Sequence, residues 1–143
     1  VIVFDASVLV SAAMVRGSVP DRAVRHAFGS DHIATSDLVM AELLDVLHRP
    51  RLARFVDPGL RTALLSQLLE LGVRFTPTIQ VTDCRDPKDD KYLELALTAE
   101  ATMIVSSDDD LLVMHPWRGV RILRPAAYLA DPGAGAPIGG NPL

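Results

Sequence analysis

The sequence predicts an α/β fold, a three-layer α/β/α sandwich with a mostly parallel central sheet. Three observations carry this. Short apolar runs rich in β-branched residues recur along the chain: VIVF at 1–4, HIATS at 32–36, TMIVSS at 102–107 and VRIL at 120–123. Segments with apolar residues at helical spacing alternate with them, the pattern of a parallel sheet covered on both faces. The chain has 143 residues, 49% hydrophobic and 22% charged, which suits one domain with a sizeable core.

VIVF reads as a buried strand, and ASVLVSAAM after it as a helix. Pro20 suits the first turn of a helix over 20–28 that stops at Gly29. HIATS is a brief strand. Ser36 or Asp37 caps the next helix, LVMAELLDVLH, which ends near Pro50. RPRLARF follows as a basic turn. Asp57-Pro58 opens a helix whose leucines at 60, 64, 65, 68, 69 and 71 lie three or four apart, closed by Gly72. VRFTPTIQV has extended character. A helix starting at Asp86 runs to about Glu100, with Asp86 as N-cap, Pro87 at N1 and Asp89 at N3. TMIVSS is a strand, DDDLL a polar cap onto a short helix, and VRIL a last strand. The domain is expected over residues 1–130, with a flexible Gly/Pro-rich tail over 131–143.

The formal charge is −4, with acids concentrated at 83–110 and Arg and His at 16–26, 48–54 and 118–124. An acidic site inside a basic rim gives such a total. No apolar run is long enough to span a bilayer, and VIVFDASVLV lacks the basic start of a signal peptide. Val1 is not Met, so the native start is expected to be trimmed or to lie upstream. The single cysteine, Cys84, reads as a small apolar residue, and a reducing cytoplasm is the expectation.

In parallel sheets, functional groups gather beyond the carboxyl ends of the strands. Asp5 directly follows VIVF, and Asp108 follows TMIVSS. Glu42 lies early in the helix after the second strand, and Asp86, Asp89 and Asp90 lie at the start of the helix leading into TMIVSS. Each acid alone reads equally well as a cap or a solvated helix residue. Gathered at one sheet edge, they repel and call for a cation. Oxygen ligands with no Cys or His cluster select hard ions such as Mg²⁺ or Mn²⁺, which serve phosphoryl chemistry. At about 100° per residue, Asp89 aligns with Leu93 and Ala96 on the buried stripe. Asp90 falls at the stripe's edge, near Glu94, so Asp89 is the better ligand and Asp90 the secondary one.

Four stretches, VIVFDASVLVSA, TSDLVMAELLDVLHRPRLARF, CRDPKDDKYLELALTAEA and TMIVSSDDDLL, occur in an order that resembles PIN-domain ribonucleases, the fold of VapC-type toxins. The resemblance covers about residues 1–124. It implies a metal-dependent endoribonuclease using Mg²⁺ or Mn²⁺, with an acidic quartet matching Asp5, Glu42, Asp89 and Asp108, and Asp90 as the alternate third acid. It also implies a toxin of a toxin–antitoxin pair, with an antitoxin partner and a homodimer. Ser7 stands where the family often has Asn or Ser, and Ser106 replaces a frequent Thr.

Arg49, Arg51 and Arg54 read as either surface arginines or contacts to RNA phosphate. His48 and His115 read as surface or capping residues, and Trp117 as packing. An aspartyl-phosphate phosphatase would want a second Asp where Ser7 stands. The remaining alternative is a non-catalytic PIN-like scaffold that binds RNA or protein.

Overall fold

The computed structural model of the protein describes residues 1–131. The tail expected over 131–143 therefore lies, apart from Asp131, outside the described residues. Five short strands and eight helices follow in the order β1 (Ile2–Phe4), α1 (Ala6–Ala12), α2 (Val19–Ser30), β2 (Ala34–Thr35), α3 (Asp37–Leu47), α4 (Pro50–Ala53), α5 (Pro58–Leu71), β3 (Val73–Arg74), α6 (Asp90–Thr98), β4 (Met103–Val105), α7 (Asp109–Leu112), β5 (Arg121–Leu123) and α8 (Pro125–Ala130).

All strand pairs are parallel. β1 lies beside β4 and β4 beside β5, with Val3 opposite Ile104 and Ile104 opposite Ile122. β2 pairs with β3 through Ala34 and Val73. An isolated parallel bridge between Ile2 and Ile33 joins the two ladders, giving the spatial order β3-β2-β1-β4-β5. Helices pack around this sheet, α6 against β1, β2 and β4, and α1 against α2 and α3. The central strands are apolar throughout because both faces are covered: Val3, Ile104 and Val105 are fully buried. Phe4 meets Tyr128 of α8 edge to face, with ring centroids 6.2 Å apart. No helix among the described residues is long and apolar enough to cross a membrane.

Several elements differ locally from expectation. Helix α2 starts earlier, because Ser18 accepts the Asp21 N–H as N-cap, and runs through Gly29 to Ser30. RPRLARF contains the short helix α4, set by Pro50 at its first turn. Only Val73 and Arg74 of VRFTPTIQV form a strand. Helix α8, unforeseen, starts at Pro125. Gly72 does close α5, but its φ is −66°, not left-handed. It is glycine because an added Cβ would lie 2.3 Å from the Leu68 carbonyl oxygen.

The largest local difference falls in DPKDDKYLE. Asp86 caps as expected, its Oδ1 accepting the Lys88 N–H at 3.0 Å. What it opens is a 3-10 turn, Pro87–Asp89, and α6 begins only at Asp90. Asp89 thus stands outside the α-helix, so a rotation of 100° per residue does not describe it. It is nonetheless buried, as the last residue of the tighter turn.

Candidate active site

Parallel strands put all their carboxyl ends at one edge, and side chains from four segments meet there. Asp5 follows β1 and extends the ladder, its N–H donating to the Val105 carbonyl at 3.1 Å. It also caps α1: Oδ1 accepts the Val8 N–H at 2.9 Å and the Ser7 hydroxyl at 2.7 Å. Asp108 caps α7, its Oδ1 accepting the Asp110 N–H at 2.9 Å. Ser106, fully buried, ties these two caps together. Its hydroxyl donates to Asp5 Oδ2 and accepts the Asp108 N–H.

Glu42 comes from α3. Its Oε1 accepts the Tyr92 hydroxyl, and its Oε2 lies 3.3 Å from Lys91 Nζ. Tyr92 is buried, and its oxygen accepts the Ala6 N–H at 3.0 Å, so one phenol links α6, α3 and the start of α1. Burial and the bond to Glu42 push the Tyr92 hydroxyl far up, keeping it a donor. Asp89, at the end of the 3-10 turn, completes the group. A pocket of about 140 Å³ is lined by Asp5, Ser7, Glu42, Asp89 and Asp108, with Val46 and Tyr92 as apolar walls.

The electrostatics of this pocket are those of crowded carboxylates. Burial raises Asp5 above the usual carboxylate range, against the bonds from Ser106, Ser7 and Val8, and Asp108 adds to the rise. Asp89 is only 8% exposed, and its Oδ2 has no hydrogen-bond partner. Burial first, then the Asp108 carboxylate within hydrogen-bonding reach, then Asp86, push Asp89 up to about 7, with Lys91 opposing. Two carboxylates in reach of one another need a shared proton or a cation. Lys91, two residues beyond Asp89, supplies one positive charge, and its approach to Glu42 is the part that sequence proximity does not reveal.

Asp90 is equally buried but engaged elsewhere, its Oδ1 accepting the Cys84 N–H at 2.9 Å. On the other side of Asp89, carboxylate oxygens of Asp86, Asp89 and Asp110 lie within 4.8 Å of one another. Of these, Asp110 is paired with Arg85 at 2.8 Å and Asp86 caps the turn. Asp89 is common to both acid groups, and its Oδ2 is a buried carboxylate oxygen without a hydrogen-bond partner. The donor set is oxygen only, and a hard divalent cation fits it.

The remaining candidates have plain partners. His48 Nδ1 bonds the Leu44 carbonyl at 2.7 Å, and His115 Nδ1 accepts the Ile122 N–H at 2.9 Å. Trp117 is buried and donates to Asp83 at 2.9 Å. Cys84 is buried, and burial raises its thiol. Arg49 is paired with Asp45 at 2.8 Å. Arg51 and Arg54 are exposed and have no carboxylate partner among the described residues. Sequence reasoning missed Tyr92, Lys91 and Asp110 as members of this neighbourhood. Tyr92 had one signal, a polar tip on an otherwise apolar buried stripe.

Carboxylates gathered over the carboxyl edge of a parallel sheet mark a domain suited to presenting oxygen ligands to a hard cation. A family model described as PIN domain matches residues 1–110, and the chain belongs to that family. PIN domains are typically metal-dependent nucleases, and the matched span includes every acid of the pocket. No curated protein matches the chain.

Proposed function

We propose that this PIN domain is an endoribonuclease dependent on Mg²⁺ or Mn²⁺, and the toxin of a toxin–antitoxin pair. The observation that carries the nuclease reading is the pocket shared by Asp5, Glu42, Asp89 and Asp108, with Asp89 Oδ2 buried and lacking a donor. Asp5, Asp89 and Asp108 would hold the ion, with Asp90 as the secondary ligand because its carboxylate already anchors the Cys84 N–H. A divalent ion bound there would polarise a phosphate oxygen and make a bound water acidic enough to attack near neutral pH.

The chain's own residues contribute the rest. Ser106, Ser7 and the Val8 N–H fix both oxygens of Asp5 in direction. Tyr92 and Lys91 hold the two oxygens of Glu42, leaving it turned to the pocket to orient a water or a second ion. No side chain is asked to be a nucleophile, so no covalent enzyme intermediate arises. Ser7 at the pocket mouth and the arginines of the α3–α4 junction would meet RNA phosphates. Arg51 and Arg54 keep the most available charge, since Arg49 is neutralised by Asp45.

The test is to incubate the protein with total RNA, with and without Mn²⁺, and to map the new ends. The proposal expects discrete internal cuts only with the ion. Binding of RNA without cuts under any divalent ion would support a non-catalytic module instead. Co-purification with the product of a neighbouring gene, together with the mass of the complex in solution, tests the antitoxin and the homodimer.

A further inference from the structure

The second basic segment of the chain makes a feature of its own beside the acid pocket. Glu42 and Val46 line that pocket at i and i+4 of α3. One turn further, at Arg49 and Pro50, the chain enters α4, and a groove of about 680 Å³ opens between Arg49, Pro50, Arg51, Leu52, Arg54 and Phe55. Glu42 and His48 are separated by about 9 Å of helix axis at 1.5 Å per residue. The groove is therefore a near neighbour of the pocket.

Its chemistry is specific. Phe55 is 54% exposed, an uncommon state for a phenylalanine. The Arg54 guanidinium lies over its ring, 4.6 Å from the centroid. Most other arginines of the basic segments are compensated: Arg25 by Asp21, Arg118 by Asp83, Arg121 by Asp131 and Arg124 by Asp109. Arg51 and Arg54 have no such partner among the described residues. An exposed ring beside two uncompensated guanidinium groups is complementary to a planar base flanked by phosphates. A protein partner would call for a broader apolar patch than one ring and the half-buried Leu52.

We propose that α4 and Phe55 form a subsite for one nucleotide of single-stranded RNA. The base stacks on the Phe55–Arg54 surface, and Arg51 and Arg54 take the adjoining phosphates. The subsite deepens, and rests on, the reading of the acid pocket as a ribonuclease centre. It selects single strands because a base stacked within a duplex offers no free face.

The test is fluorescence anisotropy of a labelled ten-nucleotide RNA with the full chain in EDTA, where cleavage is suppressed. The parent is expected to bind the single strand more tightly than its duplex. Phe55→Ala should weaken single-strand binding about tenfold, on the scale of one lost base stack, and level the two. Phe55→Trp should retain affinity and show quenched emission on binding. Arg51→Ala should lower the salt slope by about 0.7, as for one phosphate contact on a single strand. Equal affinity of parent and Phe55→Ala for the single strand overturns the subsite, as does equal binding by the parent of a strand lacking bases. A parent dimer in sedimentation that Phe55→Ala dissociates also overturns it, by giving the ring to a second copy. The two readings fail separately. Phe55-dependent binding without Mn²⁺-dependent cleavage retains the subsite and sinks the nuclease. Cleavage abolished by Asp5→Asn but untouched, with binding, by Phe55→Ala does the reverse.

Discussion

Asp89→Asn removes one charge from the acid pocket and almost no volume. In the unfolded chain this carboxyl ionises near 3.8, and in the folded protein it is pushed up to about 7. Between those values the folded state keeps a proton that the unfolded state has given up. The stabilisation is complete below about pH 4 and is lost as pH rises through about 7. Burial acts on Asp5 with the same sign. For Asp89 the difference corresponds to about 4 kcal/mol at most. The open mouth of the pocket lets solvent reduce it, to about 2 kcal/mol. Asparagine carries no charge to bury, and its amide can donate to Asp108. In EDTA at pH 8 the variant should therefore be more stable than the parent by about 2 kcal/mol, or roughly 5–10 °C in Tm. The stability gap should close toward pH 5, and Mn²⁺ should raise the Tm of the parent much more than that of the variant. Urea titrations at pH 5 and 8, with and without Mn²⁺, read all of these. A variant equal to or less stable than the parent at pH 8 in EDTA would show that burying the Asp89 charge costs the fold nothing.

Two further substitutions probe the supports of the pocket. Tyr92→Phe strands the buried Ala6 N–H and releases Glu42, and should cost about 1–3 kcal/mol in a urea titration. It should slow RNA cleavage while leaving Mn²⁺ affinity, measured by calorimetry, within a few-fold of the parent. Ser106→Ala removes a hydrogen bond that holds Asp5 down, so Asp5 rises further. The acidic limb of the cleavage–pH profile should move to higher pH, and the loss of an acceptor for the Asp108 N–H should cost about 1–3 kcal/mol. An unmoved limb would separate Ser106 from the chemistry.

The parts of this structure visible in the sequence are those fixed locally. Strand-then-acid, as in VIVF-Asp5 and TMIVSS followed by Asp108, combines a burial pattern with a cap, and both positions lie at the sheet's carboxyl edge. Asp86-Pro87 was likewise readable as a start signal, although hydrogen bonding over three residues rather than four made it a 3-10 turn. That distinction decides where Asp89 sits, and no periodicity encodes it. Gly72 marks the end of α5 in both views, yet the cause is the approach of Leu68 and not a left-handed backbone. Contacts between distant residues were invisible. Tyr92 and Glu42 are 50 positions apart, and Ser106 and Asp5 are 101 apart. The compensating cation, Lys91, is adjacent to Glu42 only once α3 and α6 have packed. Charge counting also overstated the basic rim, because most of its arginines are spent on nearby aspartates.

Carboxylates at the sheet edge are proposed to support hydrolysis of RNA through a divalent ion. The most direct measurement is the rate of cleavage of a defined single-stranded RNA by the parent and by Asp5→Asn, in Mn²⁺ and in EDTA, with folding of both checked by circular dichroism. Cleavage by the parent is expected in Mn²⁺ alone, with at least a hundredfold loss, on the order of 3 kcal/mol in the barrier, for Asp5→Asn. A folded Asp5→Asn protein that cuts as fast as the parent, or a parent that cuts equally well in EDTA, would mean that this carboxylate or the ion, respectively, does not carry the cleavage.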